Sequence, residues 1–473
     1  MADNDTNPPV SQEPEKFPKT FWTANLTELL ERSAYYSVAS FVVIYLGRMG
    51  LGEYWPSNLN SVLWGLVYFL PILSGTIADQ VGFKRSLLVA FVMLAVGYFM
   101  MGVPLWFGSG EIFADPIPKD IVASTDTIFF VVLSILLIGF GGSIIKPCVS
   151  GTIQKTAGSR ATLAFALFYM VINIGSLIGR LVSYLFRTQF ELSYIWAVAA
   201  CFCGLTFFVV LFLYRDTDEI AVETEENKKP KKSIGRILKD MVAVLGNRRF
   251  SFFLIASSGF WFLYCQVYNV IPRYWNEVLE TDPAADMYTI ANPFVIVFFQ
   301  LLITKLFGKM KPVRSIIIGN LIVGLAMLIN LGPIWFSDSI RVEVWDWMPI
   351  ATLIGITTVG LIAFGELFAA ARAYEYIGAM APKGQEGLFL GYANLPVAIG
   401  AVLGGPLGAL SFNEVMCKGA TELPNGLLEL DPTQNTIGWL ILGGIGMASA
   451  ILMWSFNIWL KRQIAKDDQA GQA

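Results

Sequence analysis

The sequence predicts an all-α membrane protein with twelve transmembrane helices arranged as two six-helix bundles. Three observations carry this reading. Of the 473 residues, 15% are charged and 55% hydrophobic, where a soluble domain carries about a quarter charged residues. The charges are also segregated, so long stretches run almost without them. Windows of about 20 mainly apolar residues, the length that crosses a bilayer, recur along the whole chain, and one long polar stretch at 215–247 divides them six and six. This composition excludes a disordered chain, a nucleic-acid binder and an ordinary cytosolic enzyme. Histidine is absent, which removes His-based metal sites and His-dependent nucleophilic catalysis. Cys148, Cys201, Cys203 and Cys265 fall inside apolar segments and Cys417 lies alone in a polar loop. Their spacing resembles neither a disulfide framework nor a zinc site, so no cofactor or metal is expected.

The first six spans are read at roughly 21–47, 57–79, 84–104, 125–154, 160–186 and 192–214. The second six are read at roughly 250–275, 287–308, 313–336, 348–378, 386–411 and 435–460. The first is the least apolar, because Glu28, Glu31 and Arg32 interrupt it. The resulting organisation is a tail at 1–20, a six-helix bundle at 21–214, a linker at 215–247, a second bundle at 248–461 and a tail at 462–473. The N-terminal segment up to Lys19 is acidic and Pro-rich with no basic region, so no cleaved signal peptide is expected.

Short cytoplasmic loops collect Lys and Arg. One set of loops holds Lys84, Arg85, Lys155, Arg160, Lys305, Lys309, Lys311, Arg314 and Lys383, and the linker adds Lys228 to Lys232 and Arg236. The opposite loops are acidic, with Glu111, Asp115, Asp120, Glu277, Glu280, Asp282, Asp338 and Glu422, and hold few cations, among them Arg48, Arg187 and Arg273. Both termini are therefore expected in the cytoplasm, which an even number of spans allows. Within the linker, Ile234, Ile237, Leu238, Met241 and Leu245 recur at helical spacing beside Arg236 and Lys239. That pattern suits an amphipathic helix lying on the inner membrane surface. Two six-span halves joined by such a linker are the layout of a secondary transporter.

Ionisable residues inside spans are expensive in lipid and mark polar cavities or pathways. In the first span Glu28 and Arg32 are four apart, as are Glu31 and Tyr35, and Arg32 and Tyr36. That spacing places them on one broad face. Lys146 lies deep in the fourth span, after Gly139, Gly141 and Gly142 and before Pro147. Burial disfavours an unpaired ammonium, so a carboxylate partner is expected. Glu366 is isolated in the tenth span, and a static Lys146–Glu366 pair is one reading of both. Arg180 follows Asn173 by seven residues, nearly two turns, so both point the same way. Arg180 either serves a cavity or snorkels to an interface. The aromatic residues are read as packing and interfacial belt.

These residues fall within stretches that resemble the proton-dependent oligopeptide transporters of the major facilitator superfamily. Glu28-Leu-Leu-Glu31-Arg32-Ser-Ala-Tyr35-Tyr36 is similar to the family's ExxER-x-x-YY signature. Leu70 to Asp79, with Gly75, Asp79, Gly82, Lys84 and Arg85, resembles the end of its second span and the superfamily's loop motif. Gly139 to Pro147 resembles its Lys-Pro motif, and Phe168 to Leu177 its FYxxINxGSL signature. Asn292-Pro293 resembles its eighth-span NP stretch, and Gly365-Glu366-Leu367 with Ala381-Pro382 its tenth-span GEL…AP.

The resemblance implies the twelve-helix major facilitator fold and proton-coupled symport of di- and tripeptides by alternating access. It implies a substrate cavity lined by Arg32, Tyr36, Tyr68, Lys146, Asn173, Asn292 and Glu366. It also implies proton coupling through Glu28, Glu31, Arg32, Lys146 and Glu366, with Gly75, Asp79, Gly82, Lys84 and Arg85 as a conformational loop motif. The partners so implied are a small peptide or peptide-like solute, protons and the lipid bilayer of the cell membrane. Departures are present. Ala39 stands where a basic residue commonly follows the YY pair, Cys265 where a seventh-span acid is common, and Arg180 where proline is common. The linker is too short for the two extra helices of many bacterial members. Two other functions remain open: a carrier of another small anionic or zwitterionic solute without proton coupling, and, more remotely, a non-transporting receptor. An intramembrane enzyme is disfavoured, since the spans offer no Ser or Asp dyad.

Overall fold

The computed structural model describes residues 16–108, 110–113, 122–157, 160–216, 245–344, 346–380 and 392–470, together with 235, 239 and 243. The expected amphipathic linker helix and Ala381-Pro382 lie outside the described residues, apart from those isolated linker positions. Ten helices are long and apolar enough to cross a membrane, and a pair bent by 43°, Trp55–Phe69 with Pro71–Ala78, makes an eleventh. The bend falls at Pro71, whose ring opposes the carbonyl one turn back and which has no N–H to donate. The remaining crossing is 19–48, built from Lys19–Val38 and Val42–Arg48. It is too charged to pass as apolar, yet it is central, packed on the fifth and sixth spans. Large apolar side chains such as Phe298 and Leu301 remain exposed on the outer surface of the helices, as a lipid-facing wall requires.

The third to sixth spans are Phe83–Trp106, Thr125–Thr156, Ala161–Gln189 and Tyr194–Leu213. The eighth to eleventh are Ala285–Phe307, Pro312–Phe336, Ile350–Met380 and Leu395–Met416. The twelfth, Pro432–Ala470, continues through the segment 462–470 that was expected to be a tail. Its Lys, Arg, Gln and Ala residues favour helix, and no breaker occurs before Gly471. The all-α expectation needs one addition. Two short hairpins, Glu343–Val344 with Met348–Pro349 and Thr421–Glu422 with Leu428–Glu429, decorate the loops.

The seventh span, Arg248–Leu279, is wound in pieces. An α-helix to Tyr264 passes into a 3-10 turn at Cys265–Tyr268, breaks at Asn269 (φ −125°, ψ −77°), resumes over Val270–Arg273 and ends in a π-helical turn, Tyr274–Leu279. The first six spans pack among themselves and the last six likewise, and the second and eleventh spans meet across the two groups. Twelve crossings return the chain to the side on which it began. The opposite side is called the far end below.

Glycine sets the position of the first span. A Cβ on Gly175 would lie 2.6 Å from the Leu29 carbonyl oxygen and 2.8 Å from Arg32 Cβ, and one on Gly179 would lie 2.5 Å from the Ser33 oxygen. The fifth span therefore touches the backbone of the first directly behind Glu28, Glu31 and Arg32.

Candidate functional site

The first-span charges form one cluster. Arg32 donates from Nε to Glu31 Oε2 at 2.5 Å and from Nη2 to Glu31 Oε1 at 2.6 Å, a two-pronged pair. Glu28 Oε1 lies 3.6 Å from Arg32 Nε, the i,i+4 contact expected from the sequence. Both Glu28 oxygens are buried without a hydrogen-bond partner among the described residues. Arg32 also sits 5.2 Å from the Tyr35 ring centre.

Lys146 does not have the carboxylate partner expected for it. Among the described residues no acid lies within ion-pair distance, and Nζ instead stands 4.7 Å above the Tyr68 ring. A π-face attracts an ammonium without neutralising it, so the charge stays available. Glu366 is likewise outside any static pair with Lys146. It lies beside Asn292, yet Glu366 Oε2 and Asn292 Nδ2 both lack a well-formed hydrogen bond among the described residues. The proposed static lock between the fourth and tenth spans is thus absent from this structure.

Asn173 is buried and donates to the Tyr169 carbonyl of its own helix at 2.9 Å. Arg180 does not snorkel. It is fully buried, and its guanidinium lies 4.4 Å from the Tyr36 ring centre. Tyr36 and Tyr68 belong to an aromatic wall, through Tyr35 and Trp64, which the sequence pattern does not distinguish from packing. Trp64 meets Tyr68 at 5.5 Å and, across the halves, Tyr268 at 5.3 Å and Tyr264 at 6.3 Å. Their position beside the charged motifs, with Tyr264 preceding Cys265, was the available signal. Cys265 is buried, and the adjacent Gln266 is tied to the Phe262 and Gly404 carbonyls.

In the loop motif, Gly82 takes φ +96°, a conformation that favours glycine. The Lys84 backbone N–H donates to Asp216 at 2.8 Å, tying this turn to the end of the sixth span. A Cβ on Gly75 would meet Pro147 at 3.0 Å, so the second and fourth spans pack closely below Lys146. Arg85 makes no hydrogen bond or ion pair among the described residues, and the side chain of Asp79 is not among those described.

Polar contacts join the halves at the far end. Arg48 donates to Asn276 at 2.8 Å and Tyr54 donates to Glu414. Arg187 binds Asp282 at 3.0 Å and approaches Asp286 at 3.6 Å. Arg273 holds Glu277 at 2.6 Å and also reaches Asn413 and the Glu53 carbonyl. Arg187 and Arg273, loop cations by the sequence pattern, instead lie within helices with their side chains largely buried, and they join the halves at the far end. Asp286, not singled out in the sequence, is 1% exposed in this seam.

A family model, that of the Major Facilitator Superfamily, matches residues 57–374, about two thirds of the chain. The chain belongs to the Major Facilitator Superfamily. Within this superfamily it is similar to dipeptide and tripeptide permease A of Citrobacter koseri, at 23% identity over 465 residues, covering 85% of this chain and 86% of that one. It is similar to multidrug resistance protein MdtH of Klebsiella pneumoniae at 24% identity over 424 residues, covering 87% of each. A solved POT family transporter in complex with 5-aminolevulinic acid superposes with a TM-score of 0.70 at 18% identity, covering 93% of this chain and 96% of that one. The permease and the POT structure agree with the motif resemblance to oligopeptide transporters, and the multidrug resistance protein agrees with the transporter class. Superfamily, multi-pass membrane architecture and the transporter rather than enzyme class follow together.

Proposed function

We propose that this chain is a secondary active transporter that moves di- and tripeptides, or peptide-like solutes, inward with protons by alternating access. The observation that carries the proposal is the pair of unneutralised charges on opposite halves, Lys146 on the fourth span and Glu366 on the tenth. A peptide is a zwitterion, with a carboxylate at one end and an amine at the other. Lys146 faces the first, Glu366 the second, and a bound peptide ties the halves together. Arg32, Tyr36, Tyr68, Asn173 and Asn292 complete the cavity in this reading. Similarity to a di- and tripeptide permease supports the substrate class.

With no histidine in the chain, carboxylates must carry the proton. Glu28 is the leading carrier, buried within reach of Arg32 with neither oxygen hydrogen-bonded among the described residues. Glu31 and Arg32 exchange partners as Glu28 or Lys146 changes state. The loop motif Gly75, Asp79, Gly82, Lys84 and Arg85 serves the conformational change. Both termini and the linker at 215–247 lie in the cytoplasm, and the cell membrane is the host. The far end is then external, so the closed far-end seam belongs to a state that has admitted substrate from outside.

A second reading, facilitated passage of another small zwitterion or anion, is favoured by Cys265. A thiol in an apolar cavity does not replace a carboxylate as a proton site. Uptake of mixed di- and tripeptides into proteoliposomes, with and without an inward proton gradient, separates the two. Gradient-driven accumulation of peptide is expected. Uptake indifferent to the gradient removes the coupling, and absence of peptide uptake removes the substrate.

A further inference from the structure

Arg180 has no role in the site described so far. It is 0% exposed, the most completely buried cation among the described residues. It projects from the fifth span toward the first, seventh and eighth. Its Nε donates to Thr289 Oγ1 at 3.0 Å, Nη2 donates to the Tyr268 hydroxyl at 3.2 Å, and Nη1 donates to the Ser176 carbonyl at 3.3 Å and to the Ser176 hydroxyl. Every one of these partners is neutral. Among the described residues no carboxylate lies within ion-pair distance of it. Thr289 Oγ1 also shares a hydrogen bond with Ser40 Oγ at 2.7 Å, and the Tyr36 ring lies 4.4 Å from the guanidinium, so Arg180 stands against the first span.

Burying a cation without a counter-charge is costly, and in a membrane bundle such a residue marks a functional site by default. The other fixed charges can be sorted by the same test. Arg32 is matched by Glu31, and Glu28, the proposed proton carrier, is neutral when protonated. Lys146, Arg180 and Glu366 have no ion pair among the described residues. Two free cations and one free anion are left around the space between the halves. The complement of that set is a molecule with two anionic groups and one ammonium.

We propose that Arg180 is a specificity-determining residue that receives a second anionic group of the substrate, so that the favoured cargo is a zwitterion of net charge −1, such as a dipeptide with an acidic side chain. This rests on the transport reading above and deepens it. The guanidinium covers Tyr36 and binds Tyr268, and Tyr268 meets Trp64, which in turn meets Tyr68, the ring beneath Lys146. Tyr268 and Thr289 belong to the second half and Ser176 to the first. Parting the halves at the far end withdraws Tyr268 and Thr289 together and leaves Nε and Nη2 of Arg180 open to an arriving carboxylate. Closure then exchanges hydroxyl partners for that anion, or restores them when the anion is missing.

The test compares Ala-Ala with Ala-Glu and Ala-Lys, measured as ligand-induced thermal stabilisation of the purified protein and as kcat/KM for uptake into proteoliposomes. The wild type is expected to prefer Ala-Glu over Ala-Ala and to take Ala-Lys least well. Arg180→Gln keeps hydrogen bonding but removes the charge, and should lower the Ala-Glu to Ala-Ala ratio about tenfold or more, as loss of a charge-assisted hydrogen bond does. Arg180→Lys should retain most of the preference. The ratio is taken within each variant, so reduced yield does not alter it, and the wild-type ranking stands as a test should Arg180→Gln not fold. A wild type that prefers Ala-Ala, or an Arg180→Gln ratio equal to the wild type's, overturns the proposal. Thermal stabilisation by Ala-Glu without any uptake supports the site while removing the transport reading.

Discussion

Replacing Gly175 by alanine should loosen the protein at the point where the fifth span touches the first. The added Cβ would sit 2.6 Å from the Leu29 carbonyl oxygen and 2.8 Å from Arg32 Cβ. Carbon atoms rest at about 3.5–4.0 Å, so the helices must part by roughly 1 Å. A gap of that size forfeits about a quarter to a half of each dispersion contact along the seam, and overpacking of this kind costs about 1–3 kcal/mol. Alanine's better helix propensity returns about 1 kcal/mol, which against a cost near the middle or top of that range leaves a net loss of about 1–2 kcal/mol. Gly204 provides the comparison, because a Cβ there meets nothing within 4 Å. Gly204→Ala should therefore gain up to about 1 kcal/mol. Thermal unfolding of both variants in the same detergent, followed by intrinsic tryptophan fluorescence, should move the midpoint in opposite directions. Uptake should fall in Gly175→Ala alone, because Arg32 is carried away with the first span. A Gly175→Ala protein as stable as the wild type would refute the claim that these backbones are in contact.

Lys146→Ala should abolish gradient-driven uptake while equilibrium binding is weakened roughly tenfold to a hundredfold, the worth of a charge-assisted hydrogen bond; driven uptake at the parental rate would return Lys146 to a packing role. Glu366→Gln should weaken binding of peptides with a free amino end by a similar factor of about ten to a hundred, and leave N-acetylated peptides unchanged in a competition assay. Asp286→Ala leaves Arg187 with only the exposed Asp282 at the far end. Breaking one side of a buried pair costs about 3 kcal/mol, so a cysteine introduced at Ser40 should become labelled faster from the far side by a membrane-impermeant reagent, and unchanged labelling would show that the seam does not depend on this pair.

The span pattern was legible because it depends on composition averaged over about 20 residues, which single substitutions barely disturb. The first span is the exception that proves informative: its charges spoil its hydropathy, yet they mark the candidate site. Glu28, Glu31 and Arg32 also cluster as helical spacing alone predicts. What it did not reveal depends on contacts between spans. Lys146 rests on an aromatic ring rather than a carboxylate, and spacing along the fourth span carries no information about Tyr68 on the second. Whether Arg180 snorkels or turns inward is decided by Thr289 and Tyr268, more than 80 residues away. Asp286 follows a run of acidic loop residues, so its burial against Arg187 could not be distinguished from simple solvation. One clue was present: Asn173, Arg180 and Arg187 recur every seven residues and so form a stripe down one side of the fifth span.

The break in the seventh span at Asn269 makes that helix a jointed rod. Its backbone ladder is already interrupted there, so swinging the far-end segment, Val270–Leu279, requires no further loss of helical hydrogen bonds. Asn60 of the second span reaches into the joint, donating at 3.2 Å to both the Tyr268 carbonyl and the Asn269 side chain, while Asn269 itself donates to the Cys265 carbonyl at 2.8 Å. Water can take over the role of Asn60 when the two are pulled apart. Bending at this elbow moves Arg273 and Asn276 together with their contacts to Glu53 and Arg48, whereas the Tyr54–Glu414 and Arg187–Asp282 contacts lie outside the segment. That segment is a short lever of about ten residues at roughly 1.5 Å each.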